Sequence, residues 1–109
     1  MGRAALQAGL IDEAISALDV LTQLQPNNAD ARFYFAMAFV TRKDYPRALK
    51  VLETYPANPP SSRAHYARAL AHYGLQQRDQ ALAEIEAAIR IGPETPHLRE
   101  WRNRIQAMK

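Results

Sequence analysis

Three histidines, eleven acidic residues and no cysteine are the groups from which this 109-residue chain would have to build a reaction centre. His65 and His72 lie seven apart, which puts them on one face of a helix, while His97 stands apart from both. Metal binding needs His, Cys, Asp or Glu ligands converging at short fixed spacings, and no such spacing occurs. A glycine-rich phosphate loop is also absent. The carboxylates fall mainly at expected helix starts or along second helices, without the pairing that general acid and base work requires. Lack of cysteine removes thiolate chemistry and disulfides. These patterns point away from catalysis and imply neither a cofactor nor a metal.

The residue types that remain suit recognition. At about 100° per residue, Phe35, Ala36 and Phe39 share one sector of a helix, and Phe33, Met37 and Val40 share a second, roughly 130° away. Tyr66, Leu70 and Tyr73 repeat that second stripe further on. A helix apolar nearly all round is expected to be covered on all sides. Two covers fit: neighbouring helices of the same chain, or an apolar ligand.

The elements that must carry these stripes repeat. Ala14, Ala48 and Ala81 recur at a near-constant interval, and Pro26, Pro60 and Pro93 keep the same beat. A period in the low thirties indicates a solenoid, in which stacking between units supplies the core. In the complete unit, Ala31 to Thr41 reads as a first helix. A second follows after Asp44, a candidate cap, with Pro46 in its first turn and Leu49, Leu52 and Tyr55 along one face. Pro56, Pro59 and Pro60 stop it. In the first unit, Arg3 to Ala8 reads as the stub of a helix, Gly9 to Ile11 as a turn, and Asp12 to Gln25 as a second helix. The third unit pairs Ser62 to Leu75 with Arg78 to Ile91, ended by Gly92-Pro93. Thr95 can cap a final helix with Pro96 in its first position, and Leu98, Trp101, Ile105 and Met108 stripe its face, the pattern of a helix covering the end of a solenoid.

Phe35-Ala36, Phe39, Ala48, Leu52 and Pro60 resemble the signature of the tetratricopeptide repeat, with Arg32 where a Trp-like residue is usual and Tyr55 where a small one is. Gly9, Ala14, Leu18, Leu21 and Pro26 continue the resemblance in the first unit. His65, Ala69, His72, Ala81, Ile85, Ala88 and Pro93 do so in the third, where Arg68 replaces a large apolar residue. The resemblance covers roughly residues 1–95. It implies an all-α, right-handed superhelical solenoid of antiparallel helix pairs. The units are a truncated first repeat (1–28), a second (29–61), a third (62–94) and a capping helix (95–109). In that family the second stripe lines a concave groove where extended peptides or helices dock. The expected site is therefore Phe33, Met37, Val40, Tyr66, Leu70 and Tyr73, with Asp30, Arg63 and Trp101 at its margins. Members that clamp acidic chaperone tails use Lys, Asn and Arg in this groove, so apolar side chains here argue for a partner with apolar anchors. The implied activity is a non-enzymatic protein-interaction scaffold; the alternative is a structural segment whose groove is filled by its own chain or by another copy.

Charge is uneven. Residues 1–30 carry one basic against four acidic residues, and residues 31–60 five basic against two acidic. A net charge of +3 without a Lys/Arg run gives no clustered face for nucleic acid, whereas an acidic front and basic rear would assist end-to-end association of copies. No apolar run reaches membrane-spanning length and no charged-then-apolar leader is present, so direct membrane insertion is not expected. A soluble location follows, the cytoplasm ahead of the periplasm. Met1 falls inside the first helix of the first unit, so the chain reads as a piece of a longer protein.

Overall fold

A computed structural model describes residues 2–53, 62–92 and 95–108, with side chains described from residue 9 onward. Six helices follow one another: α1 Gly2–Leu24, α2 Ala29–Thr41, α3 Tyr45–Glu53, α4 Ser62–Gly74, α5 Arg78–Ile91 and α6 Pro96–Gln106. No strand occurs among the described residues. Each helix packs on its chain neighbours, and α2 also touches α4, so first helices of successive units lie side by side. This is the helical repeat array that the period implies.

Local chemistry sets most boundaries. Asn28 caps α2, its side chain accepting from the Ala31 N–H at 3.0 Å, and Thr95 caps α6 by accepting from the Leu98 N–H at 3.3 Å. Helices α2 and α4 end in the same way. Lys43 and Gln76, one repeat apart, take left-handed backbone with φ of 67° and 62°. Beyond them the Asp44 N–H reaches the Phe39 carbonyl at 2.8 Å, and the Gln77 N–H reaches that of His72 at 2.9 Å. These are Schellman closures, which turn the chain sharply enough for the next helix to fold back.

The first unit departs from expectation. Helix α1 runs unbroken through Gly9–Ile11, where the sequence predicts a turn. Extending an existing helix adds a hydrogen bond for each residue fixed, and an interior glycine costs only about 1 kcal/mol. A separate short helix before Gly9 would need its own unfavourable nucleus. Tyr55 and Pro56 to Pro60, predicted to close the second unit, lie outside the described residues, as does Pro93.

Burial falls chiefly on small residues: Ala36, Ala48, Ala67, Ala69, Ala71, Ala81 and Ala88 are fully covered, alongside Leu52, Ile85 and Ile105. Alanine at contact positions lets helices approach closely, and the larger side chains fill what remains. Both arginines that replace family apolar residues donate to backbone carbonyls, Arg68 from α4 to α3 and Arg32 from α2 to the connection that precedes it. Arg68 reaches that of Leu52 at 2.9 Å, and Arg32 that of Pro26 at 2.9 Å. Leu98, Trp101, Ile105 and Met108 join Ala81, Ile85 and Ala88 of α5 in one cluster, so the stripe predicted for the last helix covers the third unit.

Candidate protein-interaction site

The expected site residues sit on α2 and α4, the side-by-side first helices. Phe33 and Met37 of α2 pack partly buried against a cluster that contains Ala64 and Ala67 of α4. Val40 lies beside Phe39, Ala48 and Ala71. Tyr66 and Tyr73 lean towards α6: the Tyr73 ring meets Trp101 edge-on at 5.3 Å, and the Tyr66 ring meets His97 at 5.3 Å. The Tyr66 hydroxyl also shares a 2.8 Å hydrogen bond with His97 Nε2. Burial pushes the Tyr66 phenol above its usual pKa, an effect that a hydrogen bond from Trp101 partly offsets. Leu70 is only 6% exposed and serves the core. Its neighbours along the stripe keep part of their surface in solvent.

The margin is polar. Asp30 and Arg63 form an ion pair at 2.6 Å that bridges α2 and α4. The Arg63 guanidinium lies over the Phe33 ring at 4.3 Å and over Tyr34 at 5.4 Å. Tyr34, 55% exposed, is the member that sequence reasoning missed. Its place between the two predicted sectors gave no signal, because its role depends on an arginine of the next unit.

His65 and His72 are engaged elsewhere. His65 Nδ1 donates to Glu84 at 2.8 Å, and His72 Nδ1 to Gln77 at 2.6 Å, so both serve packing between α4 and the segment that follows it. Among the described residues no group of three His, Cys, Asp or Glu converges on a metal position, and no helix is long and apolar enough to cross a membrane. A shallow apolar groove of about 340 Å³ opens between α1 and α2, lined by Leu10, Ala14 and Leu18 on one side and Tyr34, Met37 and Ala38 on the other. A second cleft, about 240 Å³, lies between α5 and α6 and is lined by Glu86, Ile89, Arg90 and Arg102, a mixed set with no converging charge.

No curated protein matches the chain at a significant level. A family model of the tetratricopeptide repeat matches residues 5–73, well over half of the sequence, and takes in α2, α3 and most of α4. Its repeats mediate contacts between proteins, and its members are typically non-enzymatic scaffolds. With the recurrence of the closing turns at the repeat period and the stacking of α2 on α4, that match establishes that the chain belongs to the tetratricopeptide repeat family.

Proposed function

We propose that the chain is a non-enzymatic scaffold that holds an apolar segment of a partner protein along the exposed edges of α2 and α4. One observation carries the reading. The fully covered positions of these helices are mostly alanine, while the large side chains Phe33 and Met37 of α2 and Tyr66 and Tyr73 of α4 are only partly covered. A band of large apolar edges is what a partner's side chains can cover, and completing the burial of two of them contributes roughly 3 to 6 kcal/mol before ordering costs. Val40 continues the stripe on α2 and the buried Leu70 that on α4, and the Asp30–Arg63 pair would give a polar rim that orients the ligand.

The test is a titration of short fluorescent peptides with Leu and Phe anchors against the chain and against Phe33→Glu and Tyr66→Glu. Binding that both substitutions abolish, with helix content intact, is the expected result. Equal affinity of all three proteins removes the site from these helices. The uneven charge supports a second reading, in which copies of the chain associate end to end. Solution mass by light scattering over a tenfold range of concentration separates the two, because only self-association makes the mass rise.

A further inference from the structure

We propose that α1 docks against α1 of a second copy of the chain, in antiparallel orientation, through the stripe Leu10, Ala14, Ala17, Leu21 and Leu24. The stripe follows from spacing. Its members recur at alternate intervals of four and three residues, so at about 100° per residue they share a sector of roughly 80°. The side of α1 that faces its own fold is a different one: Ile15 packs beside Phe39 and Ala48, and Thr22 is buried. Leu10, Ala14, Ala17 and Leu24 are exposed, and Leu21 is partly covered. Among the described residues the exposed large apolar side chains are Leu10, Val20, Leu24, Tyr34 and Ile91. Three of these lie on α1, and Tyr34 lines the groove beside it. Apolar surface left in water is thus concentrated on this one edge of the molecule.

The stripe suits a copy of itself. With a two-fold axis between Ala14 and Ala17, each Leu10 meets Leu21 of the other copy and each Ala14 meets Ala17, so alanines let the helices close and leucines seal both ends. Charge permits this contact although residues 1–30 are acidic. Asp12 and Asp19 stand on the side of α1 opposite the stripe, Asp12 paired with Arg42 and Asp19 accepting from Gln23 at 3.1 Å. Asp30 is paired with Arg63. Glu13 is the only other charged residue in 10–24. It borders the stripe, and the antiparallel arrangement sets the two copies of it about 7.5 Å apart along the axis. Helix α6 of a second copy is a poorer occupant, since Leu98, Trp101 and Ile105 already pack on the core and its outer face carries Arg99, Glu100 and Asn103. The stripe is about 21 Å long and, with the adjoining groove, about two helix diameters wide. A pair of copies would therefore bury about 1,000 Å² in total, the range of a reversible dimer rather than an obligate one.

The mass of the chain in solution should rise from monomer to dimer between about 10 μM and about 1 mM and go no further, because a two-fold contact closes on itself, whereas end-to-end contacts keep adding copies. Ala17→Glu places a charge in the seam at an exposed position and should weaken dimerisation about ten-fold or more, with helix content by circular dichroism unchanged. Tyr66→Glu, on the band along α2 and α4, should leave dimerisation as it was, which separates this contact from the peptide site. High salt should not loosen the dimer, since apolar burial and not charge holds it. The cysteine-free chain allows a test of orientation. Under mild oxidation, Leu10→Cys and Leu21→Cys proteins should cross-link when mixed but neither with itself, because like positions lie about 16 Å apart along the axis. A mass that stays monomeric at about 1 mM or climbs past the dimer overturns the proposal. So does dimerisation as strong in Ala17→Glu as in the parent, or a Leu10→Cys protein that cross-links with itself.

Discussion

Gly74 is the last residue of α4, and it carries no left-handed backbone that would demand glycine. Its reason is space. A Cβ built there would clash with the far end of the ring of Tyr45, the first residue of α3, so the aromatic side chain sits tight against the end of α4 and joins two units. Gly74→Ala forces that ring aside. Overpacking of this kind costs about 1–3 kcal/mol, and the better helix propensity of alanine returns at most about 1 kcal/mol, leaving a net loss of up to about 2 kcal/mol. In a domain near this size each kcal/mol lowers Tm by about 4–8 °C. Thermal unfolding followed by circular dichroism reads the change directly. Tyr45→Ala removes the obstacle, so in that background Gly74→Ala should be neutral or mildly stabilising, and the double-mutant cycle should show coupling of at least about 1 kcal/mol. An equal effect of Gly74→Ala with and without Tyr45 would refute the reasoning.

Further expectations concern caps, charge and pH. Asn28→Ala and Thr95→Ala each remove a side-chain acceptor from a helix start, and each should cost about 1 kcal/mol in urea unfolding. Arg68→Ala frees the Leu52 carbonyl from its partner and should cost about 1–3 kcal/mol, more than an exposed arginine would. The Asp30–Arg63 pair is different: Asp30 is 73% exposed, so Asp30→Asn should change stability by less than about 1 kcal/mol and less still in high salt. Burial raises the Tyr66 pKa in the folded chain, so the neutral phenol favours the fold. That contribution is intact below about pH 10, the ordinary tyrosine value, and is lost as pH rises through the higher folded value. Urea midpoints should therefore fall above about pH 10, and fall less in Tyr66→Phe.

Much of the architecture is legible in the sequence because the repeat period and the capping residues are local signals. Helix α5 runs over Arg78–Ile91 as read from its pattern, and the Thr95 cap and the Leu98, Trp101 and Ile105 stripe of α6 stand where the spacing puts them. Gly9 is the counter-example. Whether glycine turns the chain or is carried through a helix depends on what residues 2–8 can pack against, and no window around it contains that information. The site was half legible. Helical geometry groups Phe33 with Met37 and Tyr66 with Tyr73, but the lean of the tyrosines onto Trp101 and His97 is set by the distance from α4 to α6. The fit of Arg68 is hidden for a related reason: a long side chain in an apolar position can bury its stem and deliver its charge to a carbonyl of the preceding helix.

The most direct test of the interaction face is to titrate a Leu- and Phe-anchored peptide into isotopically labelled chain and map the amide shifts by NMR. The account predicts changes concentrated on Asp30–Val40 of α2 and Arg63–Tyr73 of α4, with α3 and the outer face of α5 unaffected. Shifts centred on α3 and α5, or a peptide that binds without disturbing α2 and α4, would contradict it.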